Sequence, residues 1–343
     1  MNPPSIRVKL LSRCPSSTWL RQLPTGHSTW GNCQFLFDPD ERDYDWLIVY
    51  DELPRTQDPG SHPGYESLAC SQKNTLLITT EPSSIKYYHR NYTGQFGWVL
   101  TSQAEWALPH PRRIYSQPAL RWFYRAELPL SFEHLRSNLP NEKAKTISTV
   151  LSNKKQRHTL HHRRYHFIHD LKDRLPQLEI FGRGLRPVID KSEALDSFKY
   201  HITIENFIGP HHWTEKLSDA FLGACLPFYA GCTNATDYFP PESFIPIDIH
   251  DTKEAEKIIS KAIQNNEYEK RLPYIKEARR RVLEEYNLFA IVSKEIEARH
   301  SNEKATAATI KISGRKALRR NTSIAISDAY NRSTLRLKHW LRH

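Results

Sequence analysis

The sequence predicts an α/β fold built on parallel β-sheets. Short, almost wholly apolar runs recur along the chain, and such runs are typical of strands that are buried on both faces. In the second half these runs alternate with stretches whose apolar residues recur every three or four positions, as they do in amphipathic helices. This alternation is the pattern of units in which helices cover a parallel sheet.

Three candidate strands lie in the first half, separated by irregular, proline-rich connections. They cover residues 45–50, 75–80 and 96–102. Their short apolar runs suit buried parallel strands better than half-exposed ones. The second run leads directly into Glu81 and Pro82, so we expect a carboxylate at the point where that strand ends.

The second half shows the more regular alternation. A strand over 146–151 is followed by a helix that contains Arg164, and then by a strand over 178–181. Beyond the central segment described next, the pattern predicts one strand and two helices, over residues 244–249, 252–264 and 267–298.

Residues 199–231 carry most of the functional information. An alternating apolar run ends in Glu205 and Asn206, a loop follows, and Thr214 precedes an apolar-periodic helix and a second short strand. In open α/β sheets, ligands bind where strand ends, loops and helix N-termini converge. A helix N-terminus favours anions, and Lys216 adds a point charge that suits phosphate.

The composition indicates a soluble globular protein of about two domains, with 343 residues of which 25% are charged. No run approaches the ~18–20 apolar residues that span a bilayer, and the first eleven residues lack the features of a secretory signal. The five cysteines show no paired-ligand spacing, so neither a disulfide framework nor a zinc site is indicated. A cytoplasmic location is the simplest interpretation.

The net charge of +11 is concentrated at the C-terminus. From residue 311 onward there are nine basic residues and one acidic residue. Leu337, Trp340 and Leu341 have helical spacing among these basic residues. A basic amphipathic helix within 311–343 would bind an anionic membrane surface peripherally, and a disordered, solvated tail is the alternative.

The segment 199–231 resembles the donor-binding signature of glycosyltransferase family 10, the α-1,3/4-fucosyltransferases, in the form of bacterial-type members without an N-terminal membrane anchor. The matching residues are Tyr200, Glu205, Asn206, Thr214, Glu215, Lys216, Pro227 and Gly231. Residues 238–245 resemble the continuation of the same signature, so the similarity covers about fifty contiguous residues.

The resemblance implies the GT-B architecture, with two Rossmann-like α/β domains facing a cleft. The expected division is an N-terminal acceptor-binding domain at 1–140, a C-terminal donor-binding domain at 141–300 and a basic tail at 301–343. The implied activity is an inverting transfer of fucose from GDP-fucose to a hydroxyl of a glycan acceptor, such as lipopolysaccharide or another surface oligosaccharide. GDP-fucose is then a donor substrate, and neither a cofactor nor a metal ion is expected.

Transfer from a nucleotide diphosphate sugar requires cations that stabilise the departing pyrophosphate and a carboxylate that takes the proton of the acceptor hydroxyl. Lys216 and Arg164 are the candidate phosphate contacts; Arg164 matches the family's arginine on the helix after a Ser-Asn strand end, here Ser152-Asn153. The resemblance places Glu215 near the donor sugar as a catalytic candidate. The other donor-binding candidates are Glu205, Asn206, Thr214 and His212. Ordinary helix caps, turns and solvated charges are the structural alternatives.

Glu81 is the candidate general base, since Glu81-Pro82-Ser83 resembles a segment in the N-terminal domain of many family members. Asp51 and Glu52 follow another strand and are rival carboxylates. A turn residue before proline is the structural alternative for Glu81.

The histidines raise the alternative of a metal site. His211 and His212 are adjacent and point in different directions, and His212 stands where several relatives carry a tyrosine near the nucleotide base. A second group lies near one face of a helix and comprises His158, His162, His166 and His169. We interpret this group as a polar helix face, and no metal site is predicted.

Two other functions stay open beside fucosyl transfer. The same fold and mechanism would serve a different nucleotide-sugar donor, because position 212 departs from the family pattern. A basic membrane-binding or nucleic-acid-binding protein without catalysis is the alternative of a different class, supported by the tail charge alone. We expect a nucleotide-sugar donor and an oligosaccharide acceptor as partners, and no nucleic acid.

Overall fold

A computed structural model describes residues 6–24, 27–54, 64–118, 120–128, 130–140, 143–152, 160–303 and 310–341. The chain forms two compact units. The first comprises Met1–Ala119 together with Leu288–His343, and the second comprises Leu120–Asn287. Each unit contains its own mostly or wholly parallel sheet, so the predicted α/β class with two Rossmann-like units, as in the GT-B architecture, is confirmed.

The N-terminal part of the first unit supplies a seven-stranded sheet, one further strand, β5 (Tyr65–Ser67), and two short helices. The strands are β1 Ile6–Leu11, β2 Thr29–Trp30, β3 Cys33–Leu36, β4 Trp46–Tyr50, β5 Tyr65–Ser67, β6 Thr75–Ile78, β7 Trp98–Thr101 and β8 Arg113–Tyr115; the helices are α1 Ser17–Leu20 and α2 Arg90–Thr93. The sheet order is β2-β3-β1-β4-β6-β7-β8, parallel except between β2 and β3. The three predicted strands of this half are confirmed as β4, β6 and β7.

Strand β1 is part of the fold although its sequence is not an apolar run. Lys9 lies in the middle of β1 and is fully buried. Its Nζ atom donates to Glu66 Oε1 at 2.8 Å and to the carbonyl oxygens of Pro39 and Glu41 at 2.6 and 3.0 Å. These hydrogen bonds allow the lysine to be buried, but all of them go to residues remote in sequence. The local pattern of apolar residues therefore did not predict this strand.

The second unit is a five-stranded parallel sheet with helices. Its elements are α3 Phe132–Ser137, β9 Lys145–Val150, α4 Leu160–Arg174, β10 Leu178–Phe181, β11 Phe198–Ile204, α5 Glu215–Leu222, β12 Leu226–Ala230, β13 Ile245–Pro246, α6 Thr252–Gln264 and α7 Glu267–Glu284. The strand order is β10-β9-β11-β12-β13. The predicted strand over 244–249 is shorter in the structure, where only Ile245–Pro246 form β13 at the edge of the sheet. Pro246 limits this strand because it has no N–H to donate to a neighbouring strand.

The central strand β11 divides the second unit into two faces, because successive side chains of a strand point to opposite sides. Tyr200, Ile202 and Ile204 belong to a core cluster that includes residues of α4 and α6. His201 and Thr203 therefore face the other side, on which α5 packs.

The remaining chain returns to the first unit and supplies α8 Leu288–Glu297, β14 Lys311–Ser313, α9 Arg315–Leu318 and α10 Thr322–Trp340. The predicted helix over 267–298 is thus two helices, α7 and α8, which belong to different units. Strand β14 pairs antiparallel with β5, and Ile312 in it is fully buried. None of the described helices is both long and apolar enough to cross a membrane.

The division into units differs from the expected boundaries at residues 140 and 300. Residues 120–128 belong to the second unit because Asp219 Oδ1 accepts the backbone N–H groups of Phe123 and Tyr124, each at 2.8 Å. Helix α8 belongs to the first unit because Phe289 packs against Phe35, with the ring centroids 4.6 Å apart. The expected separate tail is anchored likewise, through β14.

Candidate functional site

A pocket of about 230 Å³ opens in the second unit at the carboxyl ends of β9 and β11. The N-terminal halves of α4 and α5 form its other sides. The polar residues that line it are Thr149, Ser152, His161, Arg164, Lys191, His201, Thr203, Asn206, Glu215, Lys216 and Asp219. Four predicted site residues, Arg164, Asn206, Glu215 and Lys216, therefore meet in one pocket.

Arg164 reaches the pocket from the N-terminal part of α4 and is almost wholly buried. Its Nη1 donates to Asn206 Oδ1 at 2.7 Å. Burial lowers the pKa of Arg164, and the carboxylates of Glu205 and Glu215 oppose that effect. Because arginine starts from a pKa near 12.5, the site holds a desolvated cation at neutral pH.

Lys216 lies in the first turn of α5, where the helix dipole alone would disfavour a cation. Its Nζ lies 3.0 Å from Glu215 Oε1, 3.4 Å from Glu205 Oε2 and 3.2 Å from Thr214 Oγ1. Burial lowers the pKa of Lys216, but the two glutamates outweigh burial and raise it above its ordinary value. The lysine is therefore charged and held beside the pocket.

Glu215 is ionised in this arrangement. Burial raises the pKa of its carboxyl, but Lys216 and Lys191 outweigh burial and lower the pKa to about 2. Its position in the first turn of α5 adds the favourable interaction of a carboxylate with a helix N-terminus.

Glu205 and Thr214 fix the beginning of α5 to the end of β11. Thr214 donates from its backbone N–H to Glu205 Oε1 at 2.8 Å and from its hydroxyl to Oε2 at 2.6 Å. Thr214 is also the N-cap of α5 and accepts from the backbone N–H of Lys216. Neither residue is among those that line the pocket, so the geometry gives both a supporting position, and their donor-binding role stays a prediction.

The same buried carboxylate explains a glycine of the signature. A Cβ atom at Gly231 would clash with the side chain of Glu205 and with the hydroxyl of Tyr229. Only glycine therefore fits against Glu205 at the end of β12.

His212 is not brought to the pocket. It is 2% exposed and packs edge-on against Phe207, with the ring centroids 5.5 Å apart. Burial lowers the pKa of its imidazole to about 4, so the ring is neutral. The predicted contact of His212 with the donor has no support in this geometry, because the loop after β11 turns the ring into the protein.

Several pocket residues were not foreseen from the sequence, and Lys191, His201 and Asp219 are the titratable ones on the α5 side. Lys191 Nζ lies 2.6 Å from Asp219 Oδ2. Asp219 stands one helical turn after Glu215, and that spacing was an available signal that both face the pocket. Nothing in the sequence near Lys191 or His201 indicated their place.

Glu81, the candidate base, lies in the first unit, shortly after β6. It is half-buried, and its backbone carbonyl accepts from Gln103 Nε2 at 2.8 Å. Its role as a base stays a prediction.

The rival carboxylates in the first unit are engaged with cations. Asp51 lies 2.6 Å from Lys86 Nζ and also accepts from the hydroxyl of Tyr88. Glu52 forms ion pairs with Lys86 at 3.1 Å, with Arg315 at 2.8 Å and with Arg13. Three cations around Glu52 therefore hold its carboxylate ionised and occupied.

Two of the four histidines of the predicted polar face have the expected position on α4. His162 and His166 lie on the outer side of the helix with their Nε2 atoms 3.2 Å apart. Within the described part of the chain, no group of three or more His, Cys, Asp or Glu residues is placed to hold a metal ion. His158 and Asn153 lie outside the described residues.

Comparison with known proteins identifies the second unit most clearly. Residues 140–283 match the family model described as "Glycosyltransferase family 10 (fucosyltransferase) C-term". Over 72 residues the chain is 33% identical to the α-(1,3)-fucosyltransferase FucT of Helicobacter pylori. That segment covers 21% of this chain and only 15% of the relative's length.

Solved structures give weaker likenesses. A crystal structure of α1,3-fucosyltransferase with GDP-fucose has a TM-score of 0.45 and 17% identity, and covers 79% of this chain and 82% of its own. A DNA-modifying β-glucosyltransferase has a TM-score of 0.48 and 9% identity, over 84% of this chain and 99% of its own. At these scores neither supports a statement on activity.

Proposed function

We propose that the chain transfers fucose from GDP-fucose to a hydroxyl of a glycan acceptor, because residues 140–283 match the C-terminal model of glycosyltransferase family 10. The observation that carries the proposal is the meeting of Arg164 and Lys216 in one pocket at the strand ends. Two desolvated or half-buried cations at one site match the demand of a pyrophosphate leaving group.

We assign each of these pocket residues a part in the transfer. Arg164, oriented by Asn206, donates to phosphate oxygens, and Lys216 neutralises the charge that develops as the glycosidic bond breaks. Lys216 is neutralised by Glu215 and Glu205 without a ligand, so a diphosphate competes for its ammonium. Glu215 then becomes available to accept hydrogen bonds from hydroxyl groups of the donor.

The acceptor hydroxyl needs a base, and we assign that part to Glu81. A carboxylate that takes the proton while the hydroxyl attacks the anomeric carbon gives single displacement with inversion. The support for this assignment is the resemblance of Glu81-Pro82-Ser83 to a segment of the family's N-terminal domain. Acceptors of the lipopolysaccharide or surface-oligosaccharide class fit this proposal.

The proposed transfer needs no metal ion, because Arg164 and Lys216 supply the positive charge. The alternative is another nucleotide-sugar donor with the same fold and mechanism. A donor screen decides between them: nucleotide release from GDP-fucose, other GDP-sugars and UDP-sugars is measured with and without fucosylatable oligosaccharides. Among these donors, we expect only GDP-fucose to release its nucleotide. Preferential release of UDP from UDP-sugars would contradict the fucosyl assignment.

We also propose that α10 binds an anionic membrane surface peripherally. Ile326, Tyr330 and Leu337 lie on one side of this helix and are 66%, 71% and 55% exposed. Leu335, on the opposite side, is 6% exposed and packs inward. An exposed apolar stripe on a helix with a basic last turn suits the boundary between anionic headgroups and acyl chains.

We do not propose nucleic-acid binding, because part of the basic character of the C-terminus is used in internal ion pairs. Arg319 and Arg332 lie 2.6 and 3.0 Å from the buried Asp328. Arg315 likewise pairs with Glu52. Arginines used in this way do not form the exposed basic stripe that phosphate backbones require.

A further inference from the structure

The pocket extends beyond the residues that the proposed transfer uses. His201 lies three residues before the end of β11, which places it ~10 Å along the strand from the strand end. Lys191, Thr203 and Leu195 line the same inner part. This inner part faces α5, whose Asp219 pairs with the ammonium of Lys191 at 2.6 Å. It differs from the Arg164 end because its other polar groups, on His201 and Thr203, are neutral.

The hydrogen bonds of His201 define which ring nitrogen carries the proton. Ser148 Oγ lies 2.5 Å from the carbonyl oxygen of Ala194 and donates to it. The same Oγ lies 2.8 Å from His201 Nδ1. Since a hydroxyl has one hydrogen, Nδ1 must donate to Ser148, and Nε2 is left with its lone pair.

The ring is also held neutral. His201 is 6% exposed, and burial, assisted by Lys191 and Lys143, lowers the pKa of its imidazole to about 3. Nε2 is therefore a hydrogen-bond acceptor at any physiological pH. Within the described residues this nitrogen has no hydrogen-bond partner.

Thr203 supplies a second observation that points to a ligand. It is 2% exposed and lines the pocket, and its Oγ1 has no hydrogen-bond partner among the described residues. A buried hydroxyl without a partner is costly unless something bound satisfies it. Lys191 nearby uses its ammonium for Asp219 and has further N–H groups.

The chemistry of transfer decides which end of the donor enters the inner part. The sugar must stay accessible to the acceptor hydroxyl, so the sugar lies on the open side of the phosphate contacts. The nucleoside then extends inward from Arg164 and Lys216. Val150 and Leu195 give this part apolar walls, which suit a planar base.

We propose that the inner part binds the nucleobase of the donor, and that His201 Nε2 accepts a hydrogen bond from an N–H group of the base. Thr203 Oγ1 bonds a second polar group of the same base, and Lys191 donates to a carbonyl oxygen such as that of guanine. This inference deepens the proposed function and rests on it. His201 is thereby a specificity-determining residue for the nucleotide.

The test compares GDP with inorganic pyrophosphate, which has no base, by calorimetry on the full chain. His201→Leu removes the acceptor nitrogen, whereas His201→Gln retains a carbonyl oxygen near the position of Nε2. We expect His201→Leu to weaken GDP binding about tenfold, the scale of one buried hydrogen bond, and His201→Gln to stay within about threefold. Pyrophosphate should bind all three proteins equally.

Thr203→Val, which keeps the side-chain shape, gives a second measurement if His201→Leu does not fold. We expect it to weaken GDP by about threefold and to leave pyrophosphate unchanged. Unchanged GDP affinity in the variants that fold, or equal losses for GDP and pyrophosphate, would overturn the base contact. A loss seen with GDP-fucose but not with GDP would place the sugar at the inner end and would also overturn it. If the wild-type chain binds no GDP, the proposed function itself fails.

Discussion

Arg164 Nη1 and Asn206 Oδ1 form a 2.7 Å hydrogen bond that joins the beginning of α4 to the end of β11. The bond presents a guanidinium at the strand ends in a fixed orientation. The amide of Asn206 also cannot be ionised, so the arginine keeps its full charge for a ligand.

Replacing Arg164 should therefore remove donor binding. We expect Arg164→Met to lower GDP affinity at least about tenfold, because a charge-assisted contact contributes about 1.5–3 kcal/mol. The matched control is Arg163→Met, since Arg163 is adjacent but exposed. Calorimetry with GDP measures both. Equal losses in the two variants would show that Arg164 makes no contact with the donor that its exposed neighbour does not also make.

Glu81→Gln should abolish turnover while leaving GDP affinity unchanged, because an amide cannot take the proton of the acceptor hydroxyl. Glu105→Gln is the control, since the carboxylate of Glu105 is 80% exposed and its contact with Arg113 is 3.8 Å long. Fucose transfer to an oligosaccharide is the readout. Turnover in Glu81→Gln equal to that of the control would remove Glu81 as the base.

The stripe on α10 should control membrane binding. We expect the double variant Ile326→Ser with Leu337→Ser to sediment less with vesicles that contain anionic lipid, at unchanged activity on a soluble acceptor, because apolar burial and charge both contribute to such binding. Ala329→Ser, at an exposed position of the same helix, should sediment like the wild type. If the double variant binds vesicles like the wild type, α10 is not the membrane contact.

Two buried histidines should make folding sensitive to mild acid. Burial lowers the pKa of His201 to about 3 and that of His212 to about 4, whereas the unfolded chain protonates histidine near 6.5. The unfolded state therefore binds more protons below pH 6.5, and the free energy of unfolding falls as the pH drops from 6.5 towards 4, by up to about 1.4 kcal/mol per pH unit for each histidine.

Urea denaturation at pH 7, 6 and 5 measures this slope. His212→Phe should flatten it, because the variant removes one of the two groups, and replacement of the exposed His166 by glutamine should leave it unchanged. An identical slope in His212→Phe and the wild type would contradict a neutral, buried His212.

The sequence was sufficient for the donor side of the fold. The strand β11 was predicted from its alternating apolar residues, and β9 and β12 from short runs that fit the strand-helix alternation. Helix α5 was predicted because Thr214 and an apolar period mark its start. Strand β1 was not predicted, because Lys9 interrupts its apolar pattern. This lysine is buried in an ion pair with Glu66, and the local sequence does not indicate so distant a partner. Strand β14 escaped likewise, since only its pairing with β5 makes it a strand.

Only those residues of the candidate site that lie in one continuous segment could be predicted from the sequence. Asn206, Glu215 and Lys216 lie within eleven consecutive residues, and a strand-loop-helix pattern places them together. Lys191 comes from a separate turn of the chain, and His201 from the middle of a strand. Their nearness to the pocket depends on packing against α5, which sequence spacing does not encode.

The central claim is that Arg164 and Lys216 hold the pyrophosphate of a sugar nucleotide without a divalent ion. The most direct measurement is a calorimetric titration of the wild-type chain with GDP in excess EDTA, repeated with Mg²⁺ or Mn²⁺ and with Lys216→Met. The account predicts the same affinity with and without metal, and a loss of at least about tenfold in Lys216→Met. Binding that appears only when metal is added, or that survives in Lys216→Met, would contradict it.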